Sequence, residues 1–252
     1  MPHFYVRPED ISGSHFSIRG EEVHHIQHVL KKKIGDTINI FDGIHRAYVA
    51  QIEHMTSDDI SGILVHNITD NVPSSITIHL FQGIPRGQKM DYIVEKCTEL
   101  GVSSITPVIC RRSIKKISPD KNSAKFERWD TLALAASKQS GRLVVPTIHP
   151  AVEFAYAIRE TTKADIQFLP WEGETNLSLK EALQTWAVPY KQAHKTFSIN
   201  VWIGPEGGFA AEEITLAQEH SVHPVTLGNS ILRTETAGIV TLAIIQYELN
   251  LL

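Results

Sequence analysis

Over the first seventy residues apolar and polar positions alternate in short runs, at Thr37–Phe41, Ala47–Ile52 and Ile60–Val65. A period of two predicts half-buried strands, and the turn-forming groups between the runs (Gly35-Asp36, Asp42-Gly43 and Thr56-Ser57-Asp58-Asp59) punctuate them. At Glu21–Leu30 the period lengthens and places Val23, Ile26, Val29 and Leu30 on one side of a predicted helix. Asp70-Asn71-Val72-Pro73-Ser74-Ser75 is rich in turn formers and predicts a boundary between a β-rich domain over 1–71 and a second domain over 72–252.

Beyond that linker, strand-like and helix-like patterns alternate. Ile76–Phe81, Ser104–Ile109, Ile166–Leu169, Phe197–Ile203 and Pro224–Leu227 predict buried strands. Gln88–Leu100 (closed by Gly101), Ser123–Gln139, Ala211–His220 and Thr234–Leu251 predict helices. In Ser123–Gln139 the candidate apolar positions are Phe126, Trp129, Leu132, Leu134 and Ala136. Such alternation predicts an α/β domain with a parallel sheet covered by helices. The last helix has Ile239, Val240, Leu242, Ala243, Ile245 and Tyr247 on more than one side, which fits burial on both sides, within one chain or against a second copy.

Two glycine-rich stretches follow predicted strands and lead into predicted helices: Ile203-Gly204-Pro205-Glu206-Gly207-Gly208-Phe209 and Leu227-Gly228-Asn229-Ser230-Ile231-Leu232-Arg233-Thr234-Glu235-Thr236-Ala237. Glycine lets backbone N–H and C=O groups approach a ligand closely, and crevices at the carboxyl ends of parallel strands are where such sheets bind ligands. The two stretches therefore predict one shared pocket. The dinucleotide fingerprint, the phosphate-binding loop, the serine nucleophile elbow and the H-E-x-x-H zinc pattern are all absent from the sequence. Glu206 lies where a phosphate cradle would want no negative charge, and it suits a cationic ligand better.

The 252 residues suffice for one large or two small domains, and no apolar run reaches the roughly 18 residues of a membrane span. The start, Met1-Pro2-His3-Phe4-Tyr5-Val6-Arg7, lacks a basic-then-apolar export pattern, so a cytoplasmic protein is expected, with Cys97 and Cys110 as reduced thiols. His24, His25 and His28 have no cysteine or carboxylate partners at ligand spacing, and no metal site is expected. The net charge of −4 conceals an uneven distribution. Between Arg86 and Arg142 there are twelve Lys/Arg and six Asp/Glu, against twelve and twenty-two elsewhere. That segment is either a polyanion-binding surface or a solvated helix and loop.

Together the two C-terminal stretches resemble the SPOUT class of methyltransferases, and within it the RsmE family, the bacterial 16S ribosomal RNA uracil-N3 methyltransferases. The likeness extends through Arg86–Asp91, Glu95–Val102, Arg111-Arg112-Ser113, and Ser137–Arg142 with Pro146. The N-terminal part, with His25, His28-Val29-Leu30, Gly35-Asp36 and Asp42-Gly43, is similar to that family's small PUA-like barrel. Lys31 stands where the family usually has Arg, and Arg86-Gly87 where it commonly has Lys-Gly.

The resemblance implies S-adenosylmethionine bound in a C-terminal trefoil knot, a homodimer, and 16S rRNA or the small ribosomal subunit as partner, with no membrane association. Leu169, Pro170, Ile203, Gly204, Pro205, Glu206, Gly207, Leu227, Gly228, Ser230, Ile231 and Leu232 are then the expected cofactor contacts. Arg233 is expected to stabilise charge developing on the uracil carbonyls, and Thr236 to donate a hydroxyl. Glu235 is a base or orienting group, or simply a carboxylate complementing the start of the last helix. Thr234 is the expected helix N-cap. Arg7, Arg86, Lys89, Lys96, Arg111, Arg112, Lys138 and Arg142 are expected RNA contacts, with Lys115, Lys116, Lys121 and Lys125 adding electrostatic pull. Two other functions stay open: a SPOUT methyltransferase acting on another RNA atom, and a non-catalytic RNA-binding assembly factor.

Overall fold

The computed structural model describes residues 3–69, 76–113, 124–161, 164–193 and 196–251. The chain divides into two compact units, Met1–Pro73 with Ser137–Val145, and Ser74–Ala136 with Pro146–Leu252. The linker expected at Asp70–Ser75 lies outside the described residues, as do Lys115, Lys116 and Lys121.

The first unit is a barrel-like mixed sheet of six strands: β1 (His3–Tyr5), β2 (Ile11–Ser12), β3 (His15–Arg19), β4 (Thr37–Phe41), β5 (Ala47–Met55) and β6 (Asp59–Asn67). Their order is β1-β4-β5-β6-β3-β2, with β1 and β4 parallel and the other pairs antiparallel. Register shifts at Val49/Ala50 and Ile52/His54 bend β5, which is how a strand follows a curved sheet. Alternation places Phe16, Ile18, Ile38, Ile40, Ala50, Ile52 and Ile60 in one core with Phe4 and Val6. The three sequence-predicted strands are present, and β5 and β6 are longer than expected.

The helix expected at Glu21–Leu30 is only partly regular. An α-helical turn, α1 (Glu21–His24), continues as a π-helical turn over His25–Val29. The wider turn rotates Val29 out of the apolar stripe. Val23 and Ile26 are buried, whereas Val29 is 62% exposed. In this unit Ser137–Val145 includes Lys138, whose ammonium pairs with Glu22, and Arg142, whose guanidinium burial pulls down to about 10.

The second unit is built on a sheet whose described pairings are all parallel. Its strands are β7 (Ile76–Gly83), β8 (Ser104–Ile109), β9 (Thr147–Ile148), β10 (Val152–Glu153), β11 (Ile166–Pro170), β12 (Phe197–Ile203) and β13 (His223–Val225). They run in the order β10-β8-β7-β12-β11-β13, with β9 beside β8. Strands covered on both sides read as continuous apolar runs, and six of the seven β12 residues are buried.

Helices α2 (Lys89–Glu99) and α8 (Thr234–Glu248) pack on each other, and α8 also packs on β7 and β12. In α2 the buried Met90, Ile93, Val94, Cys97 and Thr98 follow a helical stripe. Gly101 ends that helix with φ +90°, a backbone conformation that side chains rarely adopt, and a Cβ there would displace the Gln246 amide. Helix α3 (Ala124–Ser140) buries Phe126, Trp129, Ala133 and Ala136, and leaves Leu132 and Leu134 only half-buried.

A separate aromatic core joins β7, β12 and a short helix α4 (Phe154–Tyr156). Phe81 stacks on Trp202 at 4.1 Å, and Phe154 meets Trp202 edge-on. Further helical turns, α5 (Leu179–Ala182), a π-turn over Leu183–Ala187 and α6 (Val188–Ala193), follow β11. Helix α7 (Ala211–Glu219) joins β12 to β13. Helix α8 ends at Glu248, short of the expected Leu251. No helix among the described residues is long and apolar enough to cross a membrane.

Candidate functional site

The chain leaves β7 at Gly83 and turns outward on one side of the sheet. It returns on the other side through β11, β12 and β13, so strand order reverses between β7 and β12. The carboxyl ends of those strands bound a crevice of the kind that binds ligands in open parallel sheets. Gly83, at the end of β7, faces the loop after β12 so closely that a Cβ there would lie 2.5 Å from the Pro205 nitrogen.

Both glycine stretches line this crevice. A cavity of about 420 Å³ is walled by Ile203–Phe209, Ile231–Thr234, Ala237, Lys89, Pro170 and Glu172. A second, of about 330 Å³, is walled by Thr226–Leu232, Ala237 and Pro170–Glu172 with Glu174 and Thr175. They share Pro170, Glu172, Ile231, Leu232 and Ala237, so the two stretches enclose adjoining space. Gly228 holds φ +116° in the second stretch, a conformation in which side chains are strained.

Hydrogen bonds tie the stretches together. The Thr234 hydroxyl donates to the Gly204 carbonyl at 2.5 Å and accepts from the Gln82 side-chain amide at 2.9 Å. Thr234 is consequently not the N-cap of α8. Arg233 holds that position, with extended backbone and no side-chain capping bond, and Thr234 begins the helix. The Arg112 guanidinium donates to the Gly207 carbonyl at 3.0 Å, and the Arg86 amide donates to Glu206 at 3.0 Å. Burial of Glu206 disfavours its charge, but that amide and the Lys89 ammonium outweigh it and hold the carboxyl below its ordinary range.

Of the expected cofactor contacts, eleven line the two cavities and Leu169 does not. Leu169 points into the aromatic core among Trp202 and Phe209, and strand alternation turns its neighbour Pro170 to the cavity instead. Arg233 is an exposed wall residue; Glu235, half-buried beside Lys89, and Thr236, exposed, both lie off the two cavity walls. Trp171, Glu172 and Glu174 also line the cavities and are not among the expected contacts. Their signal is a third turn, Trp171-Glu172-Gly173-Glu174, directly after β11.

The expected RNA contacts are mostly engaged within the protein. Lys89 meets Glu206 and Glu235, Lys96 meets Glu95 and Glu99, Arg111 meets Glu212, and Lys138 meets Glu22. Of these, the Arg111–Glu212 pair is exposed on both sides and of a kind worth little to stability. Arg7, Arg86 and Lys125 are exposed. Among the described residues no group of three or more His, Cys, Asp or Glu is arranged to hold a metal ion. His24 and His28 lie ring against ring at 4.6 Å, while His25 packs edge-on to Phe4.

A larger cavity, about 550 Å³, opens near the amino-terminal halves of β7, β8 and β12, between His79, Ser104, His149, Tyr156 and Asn200. Its described lining carries neither a glycine loop nor a Lys, Arg, Asp or Glu, so size alone does not select the site. The strand-end pocket fits a ligand that carries both charges and makes backbone contacts, since Lys89 and Arg233 share its walls with Glu172 and Glu206. Glu172 and Glu206 supply negative charge, and the glycine loops supply bare N–H and C=O groups.

A family model described as an RNA methyltransferase domain matches residues 72–246, and one described as an RNA methyltransferase PUA domain matches residues 18–65. Ribosomal RNA small subunit methyltransferase E of Bacillus subtilis is 30% identical over 237 residues, spanning 94% of this chain and 91% of the relative. The structure of the protein of that name from Neisseria gonorrhoeae, bound to S-adenosyl methionine, matches with a TM-score of 0.77 and 29% identity, over 98% of this chain and 97% of the other. A Legionella pneumophila methyltransferase in complex with the cofactor SAM matches with a TM-score of 0.79 and 29% identity, over 97% and 96%.

Proposed function

Because this chain belongs to the ribosomal RNA small subunit methyltransferase E family, we propose that it transfers a methyl group from S-adenosylmethionine to N3 of a uridine in 16S rRNA, in the cytoplasm. The observation that carries the reading is the joining of two strand-end glycine loops around adjoining cavities, through Thr234 and Gly204, with carboxylates on the walls. S-adenosylmethionine is cationic at sulfur and at its amino group, which suits Glu172 and Glu206.

The backbone of Gly204–Gly207 and of Leu227–Leu232 would hold the cofactor, with Pro170 as an apolar wall. The bound cofactor supplies an electrophilic methyl group. The protein's part is to expose and activate N3. Uracil N3 carries a proton, and its loss places negative charge on the flanking carbonyl oxygens. The Arg233 guanidinium, on the cavity wall, stabilises that charge. Glu235 takes or orients the N3 proton and Thr236 donates its hydroxyl, both from just outside the described cavity walls. A base inside folded RNA has to be extruded to reach such a crevice. Arg7, Arg86, Arg111, Arg112, Lys138 and Arg142 supply phosphate contacts, so RNA affinity falls steeply with salt.

A homodimer accords with α8, whose Ile239, Val240, Ala243 and Ile244 remain half-exposed and whose Tyr247 is 73% exposed. Light scattering at micromolar concentration checks this: twice the 28.2 kDa chain mass supports it, and the single mass contradicts it.

The function is tested by incubating the purified protein with labelled cofactor and undermethylated small-subunit particles, then digesting the RNA to nucleosides. The label is expected in 3-methyluridine. Label in a 2′-O-methyl nucleoside or in a guanosine, or no transfer at all, overturns the uracil assignment.

A further inference from the structure

Lys89 is the first residue of α2, directly after the turn at Gly87, and its side chain lies on the wall of the 420 Å³ cavity. Its ammonium is 3.1 Å from Glu206 Oε1 and 3.1 Å from Glu235 Oε2, so one nitrogen joins a carboxylate from each glycine stretch. Glu206 is fixed a second time by the Arg86 amide, so the turn that precedes α2 grips the Glu206 loop at two points. Glu235 is held differently. Its Oε2 is shut off from solvent and has no aligned hydrogen bond, and Lys89 is the charge it faces. A buried carboxylate oxygen left in that state is costly unless a charge or an incoming donor compensates it. The carboxylates of Glu206 first, and of Glu235 second, push the Lys89 ammonium above its ordinary range, so it stays charged at every working pH.

We infer that Lys89 is a positioning residue for the methyl transfer, holding the carboxylates of Glu206 and Glu235, one from each glycine stretch, in one arrangement beside the cavity. This rests on the methyl-transfer reading of the pocket. It also separates Lys89 from the residues that contact RNA phosphates. A lysine given to phosphate binding has no need of two carboxylates on its ammonium. Without this charge, Glu206 and Glu235 would repel each other across the entrance to α8.

The test compares the wild type with Lys89→Met and Lys89→Arg at saturating cofactor and small-subunit particles, with thermal melting as the control for folding. Lys89→Met is expected to lower kcat on the order of tenfold to a hundredfold, as for a misaimed catalytic group. The KM values for cofactor and RNA should move only about twofold to threefold in the same variant, since uniform binding is retained. Lys89→Arg should recover much of kcat, because a guanidinium can also span two carboxylates. In a Glu235→Gln background, Lys89→Met should cost little more, since coupled residues are not additive. A normal kcat in Lys89→Met with weakened, salt-dependent RNA binding overturns the inference and returns Lys89 to phosphate contact. So does a fully additive double variant.

A second readout does not depend on turnover. In nitrogen-15 spectra of the lysine ammonium groups, Lys89 should give a slowly exchanging signal that disappears in the Glu206→Gln, Glu235→Gln double variant. Exchange as fast as that of exposed lysines contradicts the inference. An inactive wild type with a held Lys89 signal would break the methyl-transfer reading and leave the arrangement itself intact.

Discussion

The two ends of the parallel sheet in the second unit differ in what they do with polar groups. At the amino-terminal end, His79 Nδ1 and the Ser104 hydroxyl pair at 2.8 Å, and the Asn200 amide donates to Gln167 Oε1. Burial together with the neighbouring His149 pulls the His79 imidazole below its ordinary pKa, so it stays neutral at physiological pH. These groups satisfy one another around a roomy cavity without charged side chains on its described lining. At the carboxyl-terminal end the polar groups join segments far apart in sequence: Gln82 to Thr234, Thr234 to Gly204, Arg112 to Gly207, and Lys89 to both Glu206 and Glu235. There, Glu235 Oε2 and Gln82 Oε1 lack an aligned hydrogen bond. A volume is easily left between helices and a sheet. A set of charges and bare backbone aimed into one crevice is a stronger sign of chemistry than volume.

The comparison breaks most sharply at Arg233. Replacing Arg233 with Ala should lower turnover about a hundredfold to a thousandfold, in the range for loss of a donor to developing charge, while cofactor affinity in calorimetry changes little. Wild-type turnover would remove Arg233 from the reaction. The next largest effect is expected at Gly83. A methyl group there collides with the Pro205 nitrogen at 2.5 Å and must displace the Glu206 loop. Gly83→Ala should therefore abolish measurable cofactor binding and cost about 1–3 kcal/mol of stability in urea denaturation. Unchanged affinity would mean that the loop is not part of the pocket.

Thr234→Val keeps the shape of the side chain but removes its bonds to Gly204 and Gln82, at a cost of about 1–3 kcal/mol from the buried partners left behind. Cofactor affinity should fall in parallel. A stable variant with unaltered affinity would show that the tie between the two stretches is incidental. The smallest effect is expected at the other end of the sheet. Ser104→Ala orphans the His79 nitrogen and should cost only about 1 kcal/mol, with kcat and both KM values within about twofold of wild type. A large loss of turnover in that variant would overturn the distinction between the two ends.

Elements with a clean period were legible in the sequence. Helix α2 and strands β4, β8 and β12 follow from alternation or a helical stripe, and the two glycine stretches marked the pocket because each follows a strand. Other elements lack such a period. Strand β1 has three residues and β2 two, too few to show one, and their partners supply their regularity. The helical segment after β11 contains a π-turn at Leu183–Ala187 and then Pro189, both of which blur a 3.6-residue pattern. One local signal was present there: Ser178 and Glu181 form a capping box. The same wide turn at His25–Val29 takes Val29 off the stripe that a 3.6-residue period predicts.

Within the pocket, backbone-contributing residues could be read from glycine spacing. The ties could not, because Gln82, Lys89 and Arg112 meet partners roughly a hundred or more residues away, and nothing local in their sequence records it.

The most direct test of the pocket is a crystal structure of this protein grown with S-adenosylmethionine. Density for the cofactor should lie between the Gly204–Gly207 loop and the Leu227–Leu232 loop, with its sulfonium side toward Glu172 and Glu206. Cofactor density in the cavity beside His79 and Ser104, with the space between the two glycine loops left to solvent, would contradict the account.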